Sequence, residues 1–432
     1  MRNLHPDGFD PYAPGVAEDP YPSYRELRED SPVHFSPQTG LFFLSRYEDI
    51  ATLGRDRTKL IRGRALSDAF EQFEGTALYR ILGSSLLVVD DPDHGRLKRL
   101  VLRTFTRGRV EQMVPRIEEL CAELLDRAEL DPAGGVLDLV PALGRPLPFL
   151  VVCEFLGIPP EDRSPFLAWT HKVLPLGGPV PTDAEKMLAV DGSGAFEGYF
   201  TALIGERRGL LRRGRPLPPG LISDLVRVAE EDGARLTEDE LLSLAFTLLV
   251  AGFENVTDLI SNAMRALCEN PGQQEELRDE PGLLDNLADE TLRYYSTTQY
   301  SLREAAQDIV LHGVRIPAGS RVALLRGAAN RDHRQFDAPD RFDLRRPNSA
   351  TNVGFGEGAT LCTGAALARL EVRIVFSELL ARCGTFELDR LHIGPARLSW
   401  GPRVLSAAYG PRARAESAGP VRTAVSRNFS GR

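Results

Sequence analysis

Apolar and polar positions repeat with a helical period over most of the chain. Residues 21–30 and 46–60 read as short helices, and 94–107 and 110–129, amphipathic and rich in Arg and Glu, predict two more. The strongest pattern opens at Leu236-Thr237-Glu238-Asp239-Glu240 and runs to about Glu269. Thr237 and Glu240 have capping-box spacing, and Asn270-Pro271-Gly272 ends the run. Roughly 32 residues at 1.5 Å each give a helix of ~48 Å, which must cross the core. Its apolar stretch from Leu241 to Phe253, interrupted by Ser and Thr, falls short of the ~20 residues that span a bilayer. Helices are also predicted over 273–278, 283–295 and 363–382.

Strand-like alternation is confined to short pieces. His34-Phe35-Ser36 and Gly40 to Ser45, split by a turn at Pro37–Gly40, predict a hairpin. Ile309 to Gly319 reads as strand, tight turn, strand. Prolines break up 131–182, and Gly177–Pro181 and Arg213–Gly220 read as loops. Residues 331–353 are irregular. The tail from Pro411 is rich in Arg, Ser, Gly and Ala, a composition that predicts disorder. The expected organisation is an N-terminal arm (1–18), one mostly α domain with a smaller β-rich part (19–410), and the tail (411–432).

Composition narrows the function classes. Of 432 residues, 42% are hydrophobic and 26% charged, and formal net charge is −9. That excludes wholesale disorder and argues against nucleic acid or an anionic membrane as partner. The five cysteines stand singly, with no CxxC pair, as expected of a reducing cytoplasm. The polar, proline-rich start, MRNLHPDGFDPYAPG, reads as neither signal peptide nor membrane anchor. Only four basic residues are lysine: Lys59, Lys98, Lys172 and Lys186.

The chemistry concentrates in Phe355-Gly356-Glu357-Gly358-Ala359-Thr360-Leu361-Cys362-Thr363-Gly364, followed by a helical run. A glycine-rich loop delivers one cysteine to a helix start, where unpaired N–H groups and the helix dipole favour thiolate. A thiolate held so is suited to iron. Two other readings compete on these residues alone. Gly354 to Ala359 fits the dinucleotide pattern G-x-G-x-x-A, but no clear strand precedes it. Cys362 could equally be a buried structural thiol.

The segment resembles the haem-binding loop of the cytochrome P450 superfamily, Phe-Gly-x-Gly-x-His/Arg-x-Cys-x-Gly. Phe355, Gly356, Gly358, Cys362 and Gly364 match; Thr360 stands where His or Arg reaches a haem propionate. The resemblance implies haem b (iron protoporphyrin IX) as cofactor, with Cys362 as axial ligand of its iron and Phe355 beside the sulfur. Three further segments carry it. Glu290-Thr291-Leu292-Arg293 is the E-x-x-R pair, joined in the family by the Arg of Pro-x-Arg-Phe, here Arg341 of Pro339-Asp340-Arg341-Phe342. Ala251-Gly252-Phe253-Glu254-Asn255 is the oxygen-binding groove, with Asn255 in place of the usual threonine. His94 and Lys98, with Arg303, match propionate-binding positions, Lys98 replacing the usual arginine. For each of these segments alone, a surface ion pair, close helix packing or a solvated face explains the residues as well.

The resemblance further implies the triangular-prism P450 fold of the soluble bacterial class, with catalytic residues Ala251, Gly252, Glu254 and Asn255. It implies a small-molecule substrate, free or tethered to a carrier protein, in a pocket lined near 62–87 and 173–183. Leu249, Val250, Phe253, Thr297, Thr298 and Tyr300, with Gln299, would line that pocket too. No flavin or iron–sulfur segment is present, so electrons would come from a ferredoxin and its reductase. The expected reaction is hydroxylation or epoxidation in bacterial natural-product metabolism. Asn255 also opens two alternatives: oxidative coupling or ring formation without oxygen insertion, and a non-catalytic haem scaffold.

Overall fold

The computed structural model describes residues 9–63, 70–177, 181–231, 236–394 and 399–411. The predicted tail and the tip of the Gly177–Pro181 loop lie outside the described residues.

Helices dominate. The longest, Glu238–Glu269, opens with the expected reciprocal cap between Thr237 and Glu240. Its buried residues lie on every side, so it is a central axle rather than a surface helix. Among the described residues one helix, this one, is apolar and long enough to cross a membrane, and 78% of its apolar window is buried inside the protein. Helices Pro146–Leu156, Leu284–Tyr294 and Ala365–Arg382 pack against it.

Ten strands are described. A five-stranded sheet has the order β1-β2-β8-β5-β3: Val33–Ser36, Leu41–Leu44, Arg321–Leu324, Ser301–Ala305 and Leu60–Ile61. Its β2–β8 pair is parallel, with Leu41 opposite Arg321; the other pairs are antiparallel. A second sheet places β10 (Pro402–Tyr409) between β4 (Gly135–Asp138) and β9 (Phe386–Ile393). The predicted strand–turn–strand is the hairpin β6–β7, Ile309–Leu311 with Val314–Ile316.

One expectation needs correction, and one element was not read in the sequence. The helix predicted over 46–60 stops at Leu53. Gly54 caps it, and the Asp56 carboxylate takes the Thr58 N–H at 3.0 Å, turning the chain into β3. Conversely, 183–212 forms one helix of 30 residues, opened by the Thr182–Glu185 capping box. Five glycines thin its apolar pattern and hide it in the sequence.

Candidate functional site

The cysteine loop is shaped by its glycines. Gly356 (φ 91°) and Gly358 (φ 53°) lie in the left-handed region, and a Cβ on Gly356 would sit 2.9 Å from the Thr360 carbonyl. The loop closes where the Cys362 N–H donates to the Phe355 carbonyl at 2.8 Å. Thr360 turns its hydroxyl inward, donating to Glu357 O at 2.8 Å, so that hydroxyl is already committed to the loop. A Cβ on Gly364 would meet only Cys362 Sγ, at 3.9 Å, within 4 Å. The start of the following helix is therefore open to a flat group.

Cys362 is exposed, whereas Cys121, Cys153 and Cys383 are buried. Desolvation nonetheless pushes its thiol up, opposed by the Gly364 N–H and by Lys98, Arg369 and Arg326. Both facts describe a side chain lining a recess, reached by water yet surrounded by protein. Exposure decides whether a ligand can reach the sulfur.

The loop is braced from three sides. Lys98 Nζ donates to the carbonyls of Ala359 (2.7 Å) and Leu361. Arg326 donates to buried Glu357 at 3.2 and 3.3 Å. The Arg369 guanidinium lies 4.5 Å from the Phe355 ring centroid and grips Asp289 with two bonds of 2.9 and 2.8 Å. Arg326, Glu357 and Arg369 carry no spacing signal that singles them out in the sequence.

Glu290 and Arg293 form a fully buried bidentate pair at 2.8 and 2.9 Å. Arg293 also donates to the carbonyls of Asn330 (3.1 Å), Pro339 (2.7 Å) and Arg341 (2.9 Å). The expected third guanidinium, Arg341, is not in the network. Its side chain is exposed and pairs with Asp343, and only its carbonyl takes part. Arg346 fills the place instead, its Nε 3.2 Å from Glu290 and its side chain 5% exposed. The Asp343 N–H donates to Glu290 Oε1 as well, at 2.9 Å.

A cluster of cations converges beside the recess. Arg62 and Arg303 are each 7% exposed and His94 is 2% exposed. Burial first, then repulsion from Arg303, pulls Arg62 down to about 10; burial and Arg326 do the same to Arg303. His94 is pushed down to about 4 by burial and by Arg62, Arg57 and Lys98, and its Nδ1 has no hydrogen-bond partner. The nearby carboxylates are already engaged: Asp90 by the N–H groups of Arg62 and Gly63, Asp91 by Arg57. Desolvated like charges with an orphaned imidazole fit a ligand bringing carboxylates of its own, as haem does with its propionates. Arg62 was not legible in the sequence because it lies in no motif.

The long helix turns a stripe of partly open residues, Leu248, Ala251, Gly252 and Asn255, away from its buried faces. Asn255 Nδ2 lies 3.5 Å from the Ala251 carbonyl, and Thr298 Oγ1 lies 3.4 Å from Asn255 Oδ1. Glu254 is buried beside them. Gly252 has a packing cause: a Cβ there would come 2.8 Å from Val152 Cγ2 on the neighbouring helix. Of the expected pocket residues, Leu249 and Phe253 are fully buried in the main core, Phe253 edge-on against Phe149 at 5.7 Å, and Val250 is 7% exposed. Thr297 gives its carbonyl to the Trp400 N–H (2.7 Å), Gln299 donates to Ser296 O (2.6 Å), and Tyr300 meets the Tyr12 hydroxyl. A separate surface cleft of about 1100 Å³, lined by Arg109, Phe155 and Asp224, includes none of these residues.

The sequence was compared with known proteins once this geometry was defined. The family model for Cytochrome P450 matches residues 31–392. The cytochrome P450 monooxygenase PikC of Streptomyces venezuelae is 37% identical over 396 residues, covering 90% of this chain and 89% of PikC. The vitamin D(3) 25-hydroxylase of Pseudonocardia autotrophica is 36% identical over 370 residues, 84% and 86% of the two chains. The crystal structure of P450BioI, solved with a hexadec-9Z-enoic acid ligated acyl carrier protein, superposes with a TM-score of 0.82 at 28% identity, covering 91% of this chain and 99% of that one. The chain belongs to the cytochrome P450 family and has its fold. Its activity class is P450 monooxygenase, and the family's cofactor is haem b held by a cysteine thiolate.

Proposed function

We propose that this P450 hydroxylates or epoxidises a small organic molecule in bacterial specialised metabolism, with Cys362 as the thiolate ligand. The convergence of an accessible cysteine at an open helix start with the desolvated cations Arg62, His94 and Arg303 carries this reading. When bound, haem b supplies oxygen activation driven by two external electrons. The chain's own residues supply the rest. Arg62, His94, Lys98 and Arg303 would hold the propionates, while Lys98 keeps the Ala359 and Leu361 carbonyls in place. Arg369 fixes the Phe355 ring under the cysteine loop. Asn255 presents a carboxamide to the groove, and Glu254 places a carboxyl behind it.

The electrons are assigned to a ferredoxin and its reductase in the cytoplasm, with exposed arginines near the cysteine loop steering an acidic partner. The P450BioI complex, whose substrate rides on an acyl carrier protein, supports a carrier-tethered substrate here as the alternative to a free one.

The test is the carbon monoxide difference spectrum of the reduced, purified protein. A far-red Soret band is expected. A band of histidine-ligated or free haem, or no band, would overturn the reading. Asn255, standing where the family's threonine hydroxyl is expected, favours a second reading, oxidative coupling or ring closure. Product mass separates the two: hydroxylation adds an oxygen atom, whereas coupling removes hydrogens.

A further inference from the structure

The groove of the long helix lacks the hydroxyl that the family places at residue 255, yet a hydroxyl is present across the gap. Thr298 belongs to a different segment, the stretch between Tyr294 and β5. The neighbours of Thr298 are spent on scaffolding. The Ser296 N–H donates to Tyr21 Oη at 3.1 Å, and the Ser296 hydroxyl donates to Leu292 O at 2.8 Å. The Thr297 carbonyl takes the Trp400 N–H at 2.7 Å, and the Gln299 amide donates to Ser296 O. These bonds pin the backbone on both sides of Thr298. Its hydroxyl is thereby carried to Asn255 by a segment pinned on both sides.

The chemistry of the three groups then fixes one orientation. A backbone carbonyl only accepts, so the Ala251 carbonyl requires the nitrogen end of the Asn255 carboxamide. The oxygen end must face Thr298, whose hydroxyl must therefore donate. One N–H of the carboxamide remains unspent and belongs to the groove. A hydroxyl donates or accepts, so the Ala251 carbonyl selects the end and Thr298 holds the carboxamide against rotation; without Thr298 only the long Ala251 bond remains to hold it. A carboxamide cannot release a proton near neutral pH, so Asn255 acts as a hydrogen-bond donor, and its worth depends on which end it presents.

We propose that Thr298 is a positioning residue that locks the Asn255 carboxamide with an N–H facing the ligand side of the groove. The proposal rests on the haem-thiolate reading and deepens it.

The experiment measures the cyanide dissociation constant of the ferric haem-loaded protein, by Soret titration, for the parent, Thr298→Val, Thr298→Ser, Asn255→Ala and the double variant Asn255→Ala/Thr298→Val. Cyanide is a small ligand whose free nitrogen accepts a hydrogen bond. Thr298→Val keeps the shape and deletes the hydroxyl. It is expected to weaken cyanide binding about threefold to tenfold, the worth of one hydrogen bond. Asn255→Ala should weaken it equally, the double variant should add nothing further, and Thr298→Ser should restore the parent value. Unchanged affinity in Thr298→Val, or losses that add in the double variant, would overturn the proposal while leaving the haem-thiolate reading standing. A parent without the thiolate Soret band would overturn both.

Discussion

Glu290 accepts from Arg346 across 56 residues of chain, on the same carboxylate that grips Arg293. The pair joins Leu284–Tyr294 to the irregular stretch that leads into the cysteine loop. Removing Arg346 leaves buried carboxylate charge short of a partner, a loss of about 3 kcal/mol. Arg346→Ala should therefore lower the urea midpoint and the fraction of purified protein that carries haem. Arg341→Ala, which deletes only an exposed side chain, should leave both unchanged. Equal effects of the two substitutions in parallel unfolding curves would show that the network is wrongly assigned.

His94 sets an acid limit on the haem-free protein. Its ordinary value is 6.5, and in the fold it is held near 4 by burial and by Arg62, Arg57 and Lys98, with Asp91 opposing. Between those values the unfolded chain binds a proton that the folded chain refuses. Stability is therefore present above about pH 6.5 and is lost as pH falls toward 4, by about 3 kcal/mol across the window. Denaturant midpoints of the apoprotein should rise over that interval, and His94→Gln should flatten the slope. A bound propionate favours the charged imidazole, so haem loading should flatten it too.

Lys98 ties the cysteine loop to helix Asp93–Thr104 through two carbonyls. Lys98→Met keeps much of the apolar stem and removes the charge and donors. It should speed haem transfer to an excess of apomyoglobin by roughly tenfold, about 1.4 kcal/mol for one charge-assisted contact. An unchanged transfer rate would assign propionate retention to Arg62, His94 and Arg303 alone.

Gly252 tests whether close packing or the groove dictates that residue. A methyl there meets Val152 Cγ2 at 2.8 Å, and valine is stiff about χ1. Gly252→Ala should cost about 1–2 kcal/mol from overpacking, after the ~1 kcal/mol that alanine gains in a helix. The double variant Val152→Ala/Gly252→Ala should fall short of the summed single losses when thermal melts are compared. Additive losses would mean that the clash is relieved elsewhere.

Local encoding explains what the sequence disclosed. The glycines that place Cys362 need their own φ values, and Glu290 with Arg293 meet by helical spacing, so both signals lie within a few residues. Arg346 and Arg62 act through partners far along the chain, and nothing near them in sequence marks that. The reading of 46–60 as helix ran past Gly54 although residues 54–59 carry no apolar side chain; the next apolar residue, Leu60, already belongs to β3. The placement of Phe253 against Phe149 depends on a second helix and is invisible from its own period.

The segment around Thr298 is fastened by residues far apart in the chain. Tyr21 accepts the Ser296 N–H; Trp400 donates from its backbone to Thr297 and from its indole to Ala17, 383 residues earlier. At ribosomal speeds of 5–20 residues per second, Ala17 waits roughly 20–80 s for that partner to be synthesised. The segment beside the groove is thus completed only after Trp400 is made. Haem captured by the early cations would meet a finished pocket only once Trp400 has been made.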